Sequence, residues 1–207
     1  MAYSHFTLAI AQANFALTLH EGQSLFGDLP PVQPSPLLQQ ILQEYQALAL
    51  AINSEKARSE FIIAPILADL RRQVSQPIAL FSGKDFTVDS DLGLNGYCDF
   101  ILGRSSEQFF IQAPVFTIIE AKNEDIISGL GQCAAAMVAA QIFNQRQQIE
   151  ATAIYGCVTT GSNWRFLRLV GQDLAIDNEE YYLKELPTIL SILSLPFRDS
   201  TNDAPPW

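Results

Sequence analysis

The sequence predicts an α/β (α+β) domain with a mixed β-sheet flanked by helices, and three observations lead to this prediction. Apolar residues recur at helical spacing over residues 37–52 and again over 54–72. The apolar period then changes to two in short runs, such as 97–102 and 115–121. A long alanine-rich segment, 125–148, follows those runs and precedes further strand-like sequence. Helices and strands that alternate in this order pack as layers around one sheet.

Local signals justify the helices. Residues 7–19 favour a helix that runs into a short extended piece. Four prolines within 29–36 predict an irregular connector before the next helix. The pair Asn53-Ser54 supplies an N-cap for the helix after that, which we expect Pro65 to kink or to break early. A last helix is predicted over residues 187–195.

Strands are predicted where β-branched and aromatic residues alternate with other residues between turn-forming positions. Gly161-Ser-Asn163 is a hairpin signal and joins the last two predicted strands, 152–160 and 164–170. The polar tail that follows residue 198 is expected to be disordered. The predicted strands cover residues 78–81, 86–89, 97–102, 115–121, 152–160 and 164–170.

Length and composition limit the class of protein. A chain of 207 residues is one elaborated domain, for which we expect an N-terminal helical extension over 1–53, a core over 54–170, a C-terminal strand and helix over 171–198 and the tail 199–207. Its 48% hydrophobic and 16% charged residues exclude a disordered protein. Three cysteines without a CxxC pair favour a reducing, cytoplasmic location. With no apolar run near the ~18 residues of a membrane span and no basic N-terminus, neither a membrane span nor a signal peptide is expected.

Charge is distributed unevenly along the chain. The formal net charge is -10, a balance that as a whole repels nucleic acid. Residues 1–55 hold four acids and no base, residues 56–170 hold eleven acids and ten bases, and residues 171–207 hold seven acids and two bases. The acidic ends are either ordinary solvated faces or segments that screen a middle part that binds an anion.

Charged residues interrupt two of the apolar strands. Alternation places Tyr97, Asp99 and Ile101 on one face of the first strand, and Cys98, Phe100 and Leu102 on the other. In the second strand, Glu120 and Lys122 share a face at its C-terminal end. If the two strands form an antiparallel hairpin with Glu120 opposite Asp99, the two carboxylates need a cation between them or one retained proton. Hard divalent cations suit such oxygen ligands, and the alternative is an internal Asp–Lys–Glu salt bridge.

Asp99, twenty intervening residues and then Glu120-Ala-Lys122 resemble the D…(D/E)-x-K signature of the PD-(D/E)XK nuclease superfamily. Glu60 matches the acid that the family places on its first core helix, and Gln132 matches a glutamine seen on the helix after the lysine. The order helix, strands, helix, strand over about residues 54–170 is also that of the family's restriction-endonuclease-like core. Cys98 stands where the motif's name has proline, a position that varies among members.

The resemblance implies a divalent-metal-dependent nuclease with nucleic acid, most simply DNA, as its substrate, and it allows a homodimer. Asp99 and Glu120 would hold Mg²⁺ or Mn²⁺ with the backbone carbonyl of Ala121, and Glu60 would join through a water. Lys122 would position the attacking water and support the developing negative charge, and Gln132 would orient the phosphate or a ligand water.

Other interpretations of the same residues stay open. The acidic charge and the lack of a basic stripe favour a catalytically inactive nuclease-fold module for interaction or regulation. Glu60 has an ordinary alternative as the i+4 ion-pair partner of Lys56, and Gln132 has one as a plain polar helix position. A G-x-G-x-x-A pattern over 129–134 starts too far from the preceding strand for a dinucleotide site, so we expect its small residues to let a helix lie close to the sheet.

Overall fold

The computed structural model describes residues 2–27, 29–149 and 153–198, so the predicted disordered tail, 199–207, lies outside the described residues. Most predicted helices and strands are confirmed within a few residues of their expected ends. The helices are α1 (Leu8–Phe15), α2 (Pro36–Ile52), α3 (Glu55–Arg58), α4 (Ala64–Gln73), α5 (Ile126–Arg146) and α6 (Leu186–Ser194). The strands are β1 (Thr18–His20), β2 (Ala79–Asp85), β3 (Tyr97–Gly103), β4 (Val115–Ala121), β5 (Ile154–Thr159), β6 (Asn163–Val170), β7 (Asp173–Ile176) and β8 (Tyr181–Tyr182).

The strands form one mixed sheet in the order β1-β7-β6-β5-β4-β3-β2, with β8 paired to β6. Strands β2, β3 and β4 form an antiparallel meander. Strand β5 lies parallel to β4, and α5 makes the crossover between them. At the far edge β1, which belongs to the N-terminal extension, pairs parallel to β7. The predicted mixed sheet flanked by helices is therefore confirmed.

Helices cover both faces of the sheet. On one face α1 and α5 enclose a core that includes Met137 of α5, Ile118 of β4 and Ile101 of β3. On the other face α2, α4 and α6 enclose a second core that includes Phe100 of β3 and Ile119 of β4. Neighbouring residues of β4 point into different cores, so the strand is buried on both faces, and its polar residues Thr117 and Glu120 are buried with it.

Helix α5 has 21 residues and by length and composition could cross a membrane, which the sequence prediction did not recognise. However, 67% of its most apolar stretch is buried inside the protein. Its N-terminus is capped by Asp125, whose carboxylate accepts hydrogen bonds from the backbone N–H groups of Ile127 and Ser128. These features are typical of the core helix of a compact, soluble-like α/β fold.

Two local predictions were wrong. Residues 86–89 do not form a strand, because the chain turns back between Asp89 and Leu94, which make an isolated bridge. The helix predicted to kink or break at Pro65 instead continues from α3 through a π-helical segment, Ser59–Ile63, into α4. Pro65 is the second residue of α4, directly after the π-helical segment, where the helical hydrogen-bond pattern changes.

Two glycines of α5 permit close packing, but not both against the sheet as the sequence predicted. A Cβ added at Gly129 would lie 2.6 Å from Cγ1 of Val158 on β5. A Cβ added at Gly131 would instead overlap the backbone of Phe6 and Thr7, just before α1. Gly131 therefore lets the N-terminal segment lie directly on α5.

We expect Gly131→Ala to destabilise the protein by about 1–3 kcal/mol, because the new methyl group meets backbone rather than a movable side chain. Urea unfolding at constant pH measures the change. The matched control is Gly27→Ala, whose added Cβ would meet only the Ser24 hydroxyl, at 3.2 Å. Equal stability of the two variants would contradict this account of the packing.

Candidate active site

The predicted hairpin of β3 and β4 is confirmed, with Phe100 paired to Ile119. This register, continued by one residue, brings Asp99 opposite Glu120. The predicted alternation of β3 is wrong at one position, because Cys98 packs in the α5 core with Ile101 rather than with Phe100. The change of face occurs at Asp99, opposite Gly83 of β2, whose φ of 57° bends that strand.

The end of β4 brings four of the predicted residues together. Asp99 accepts a hydrogen bond of 2.7 Å from the backbone N–H of Ala121, and its carboxyl interacts electrostatically with that of Glu120. Glu120 is only 3% exposed and accepts a hydrogen bond of 2.6 Å from Nζ of Lys122. The same ammonium lies 3.3 Å from Oε1 of Gln132 on α5. Asp99, Glu120, Lys122 and Gln132 therefore form one connected group.

Negative charge dominates this group. Burial, followed by the charge of Asp99, raises the pKa of Glu120 to about 8, although Lys122 opposes the shift. Burial likewise raises the pKa of Asp99. Burial disfavours the charge of Lys122, but Glu120, Glu55 and Asp99 outweigh it and raise the pKa of the ammonium. The carboxyl pair therefore retains a proton near neutral pH while Lys122 stays charged.

The structure does not bring Glu60 to this group. The Glu60 side chain is 55% exposed, pairs with Lys56 at 3.4 Å and borders a groove beside α2. The acid of this helical run that lies near Asp99 and Lys122 is instead Glu55. Partial burial and the charge of Asp99 raise the pKa of its carboxyl. Five residues along a helix correspond to a rotation of about 140°, so the two acids face different sides.

Sequence reasoning missed Glu55, although it carried a usable signal. Glu55 is the first residue of α3 after the N-cap Ser54, whose hydroxyl accepts a hydrogen bond from the Ala57 N–H. The guanidinium of Arg58 donates to the Thr160 carbonyl at 2.9 Å, which ties α3 to the β5–β6 turn. Glu55 stands in the first turn of a capped helix, close to the ends of buried strands. Such a position makes an acid a candidate site residue, although the helical period of the sequence alone does not reveal it.

The connected group supplies part of the ligand set that a hard divalent cation requires. The buried carboxyl of Glu120, the half-buried carboxyl of Asp99 and no more than one nearby ammonium among the described residues of the site give more oxygen ligands than positive charges. The described residues contain no cluster of three or more His, Cys, Asp or Glu side chains arranged to hold a metal ion. Two carboxyls alone supply only part of the ligand set of a hard divalent cation, so water would have to supply the rest. Such partial sites are common for Mg²⁺, which keeps several waters.

No protein-family model matches this chain, and no curated protein matches its sequence. The resemblance to the PD-(D/E)XK signature therefore depends on the residues and their arrangement alone.

The raised pKa of Glu120 makes stability depend on pH. Between the ordinary carboxyl value of 4.5 and about 8, the folded protein holds a proton that the unfolded chain releases. Metal-free stability therefore falls as pH rises through this window, by up to about 1.4 kcal/mol per pH unit from this group. Above about pH 8 no further loss arises from it.

We expect Glu120→Gln to remove this dependence, so that the variant gains stability relative to the wild type as pH rises from 5 to 8. Chemical unfolding in the presence of a chelator, at several pH values, measures the difference. Glu124→Gln is a matched control, because Glu124 is exposed. Parallel curves for the wild type and Glu120→Gln would refute the buried, proton-retaining carboxyl.

Proposed function

We propose that the protein is a divalent-metal-dependent nuclease with a restriction-endonuclease-like core, which hydrolyses phosphodiester bonds in nucleic acid. The observation that carries this proposal is the carboxyl pair of the half-buried Asp99 and the buried Glu120, with Lys122 bonded to Glu120 at the end of β4. The topology supports it, since the antiparallel β2–β3–β4 meander followed by α5 and the parallel strand β5 has the element order expected from the resemblance.

In the proposed site Asp99 and Glu120 would hold the cation, Mg²⁺ or Mn²⁺, and the Ala121 carbonyl would be a further ligand. When bound, such a cation activates a water and stabilises negative charge on a phosphate. The hydrogen bond from the Ala121 N–H fixes the orientation of the Asp99 carboxylate. Because Asp99 keeps a second oxygen free of that bond, it retains the capacity to act as a ligand.

Lys122 holds the attacking water and stabilises the charge that develops on the phosphate. Its ammonium is placed for this by Glu120 at 2.6 Å and by Gln132 at 3.3 Å. Gly129 on α5 leaves room for the lysine stem, because a Cβ there would lie 3.1 Å from its Cε. In this arrangement Gln132 acts mainly by positioning Lys122.

Glu55 is the third acid of the proposed site, in the role that the sequence assigned to Glu60. Its carboxylate interacts electrostatically with Asp99, Glu120 and Lys122. We place Glu55 one water away from the cation, since it is exposed and does not form a metal-holding cluster with the other acids. Outer acids of this kind tune affinity and activity rather than define the site.

A second candidate function is a catalytically inactive nuclease-fold module for interaction or regulation. Its support is that most described arginines donate hydrogen bonds inside the protein, so they form no free basic stripe among the described residues to follow a phosphate backbone. These arginines are Arg58, Arg71, Arg72, Arg104, Arg146, Arg165 and Arg198. The cytoplasmic location remains an expectation, with the free, buried Cys98, Cys133 and Cys157 in its favour.

We expect the wild type to cleave labelled single- and double-stranded DNA and RNA oligonucleotides, at least one class of them, in the presence of Mg²⁺ or Mn²⁺. Glu55→Gln should lower the cleavage rate about 10–100-fold, as the loss of an outer-sphere acid does. Glu60→Gln, on the same helical run, should leave the rate unchanged because its carboxylate faces α2. Asp99→Asn sets the inactive baseline.

Two results would contradict the proposal. Cleavage that persists in Asp99→Asn would indicate a contaminating nuclease, and no cleavage of any class by folded wild type would favour the inactive module. Equal effects of Glu55→Gln and Glu60→Gln would reject the assignment of Glu55 while leaving the nuclease proposal in place.

A further inference from the structure

The aromatic ring of Tyr97 is exposed beside the proposed site. Tyr97 is the first residue of β3 and is 69% exposed. It precedes Asp99 by two residues, so the Cα atoms of the two residues are about 6.6 Å apart along the strand. This separation is comparable with that between the phosphate and the base of one nucleotide. The nuclease proposal makes no use of this ring.

The backbone that presents this ring is fixed by its neighbours. Tyr97 is paired with Asp85 of β2. The carbonyl of Gly96, just before it, accepts a hydrogen bond of 2.8 Å from the Phe86 N–H. The Asp85 carboxylate accepts hydrogen bonds from the N–H and the hydroxyl of Thr87. A ligand of the ring therefore meets a preformed strand and does not have to order the chain.

A lysine adjoins the ring at the open edge of the sheet. Strand β2 is the last strand in the sheet order. Its Lys84 is exposed and in register with Cys98, the residue between Tyr97 and Asp99. The ammonium of a lysine is a compact charge on a flexible stem, which suits a phosphate that flanks the ring. Strands β2 and β3 therefore present one cation and one aromatic residue at neighbouring positions beside the proposed site.

Charge favours a single strand over a duplex as the ligand. The chain has a net charge of -10, and the carboxylate of Glu55 lies near Asp99. Double-stranded DNA carries one negative charge per about 1.7 Å of its axis, so an acidic protein is repelled more strongly by a duplex than by a single strand. Lys84 offers one phosphate contact, whereas a protein that binds through phosphates can make about 6–10. Affinity for nucleic acid must therefore come largely from contacts that carry no charge.

Stacking supplies such a contact, and it requires an unpaired base. In a duplex the faces of the bases are covered by their neighbours, whereas a base in a single strand offers its face to an aromatic side chain. Every base has such a face, so the contact tolerates any sequence. An exposed tyrosine with a lysine beside it matches the combination of ring and cation that single-strand-binding proteins use.

We propose that Tyr97 is a base-stacking subsite, which directs the proposed active site to single-stranded DNA or RNA. An unpaired base lies on the Tyr97 ring, Lys84 contacts a flanking phosphate, and the phosphate to be cleaved lies toward Asp99. This inference rests on the proposed function, because the nuclease proposal is what makes nucleic acid the ligand of this surface.

Fluorescence anisotropy with labelled oligonucleotides tests the subsite, in a chelator so that no cleavage occurs. The probes are single-stranded DNA, single-stranded RNA of the same sequence and the DNA duplex, and the wild type should bind at least one single strand about 10-fold more tightly than the duplex. Tyr97→Ala should weaken that binding about 5–100-fold, and Tyr97→Phe should retain it. The matched control Tyr182→Ala should bind like the wild type, because Tyr182 is 48% exposed but lies on β8.

Salt dependence tests the role of Lys84 separately. Lys84→Gln should reduce the slope of log Kd against log salt concentration by about 0.7, the value for one phosphate contact to a single strand. Lys184→Gln is the matched control, because Lys184 is also exposed but lies beside Tyr182. An unchanged slope in Lys84→Gln would overturn the phosphate contact.

Failure of this inference and failure of the nuclease proposal give different results. No binding of either single strand, a duplex bound as tightly as the single strands, or undiminished single-strand binding by folded Tyr97→Ala would overturn the subsite, even if the wild type cleaves nucleic acid in Mg²⁺. Binding of a single strand that depends on Tyr97, without any cleavage in Mg²⁺ or Mn²⁺, would support the subsite and reject the nuclease proposal.

Discussion

The contact between Asp99 and Glu120 constrains the rest of the site. Glu120 is 3% exposed and its carboxyl lies against that of Asp99, so the two cannot both be ionised without a compensating cation. Lys122 supplies one positive charge, which does not balance Asp99, Glu120 and Glu55 together. A buried group of this kind costs stability compared with apolar residues of similar size. Its presence on otherwise apolar strands is better explained by what it can bind than by what it stabilises.

The fold delivers these groups from four separate elements. Strand β3 contributes Asp99 where its side chains change face, and β4 contributes Glu120 and Lys122 at its C-terminal end. Helix α5 follows directly and presents Gln132, while its glycines keep it close to β5 and to the N-terminal segment. Helix α3 adds Glu55, because Arg58 ties it to the β5–β6 turn. The site is thus placed mainly on regular elements, which favours a fixed geometry.

Short-range patterns in the sequence predicted much of this arrangement. The period-two alternation and the spacing of Asp99, Glu120 and Lys122 were enough to predict the hairpin and the shared face of Glu120 and Lys122. The sequence prediction named Glu60, whereas the structure places Glu55 beside this group, because which side of a helix meets the sheet depends on tertiary packing and here on the π-helical segment that follows α3. The edge strand β1 pairs with β7 over 155 residues of separation, which no local signal encodes. The change of face at Cys98 occurs opposite Gly83, a residue with positive φ in a different strand, so the local pattern of β3 does not reveal it.

The most direct test of the central claim is a calorimetric titration of Mn²⁺ into the metal-free protein, the Asp99→Asn variant and Glu60→Gln. Asparagine keeps an acceptor for the Ala121 N–H, so the variant loses charge while the local fold is retained. The account predicts binding to the wild type and to Glu60→Gln, and its loss in Asp99→Asn. Wild type that releases no heat, or Asp99→Asn that binds Mn²⁺ as tightly as the wild type, would contradict the assignment of Asp99 and Glu120 as a metal site.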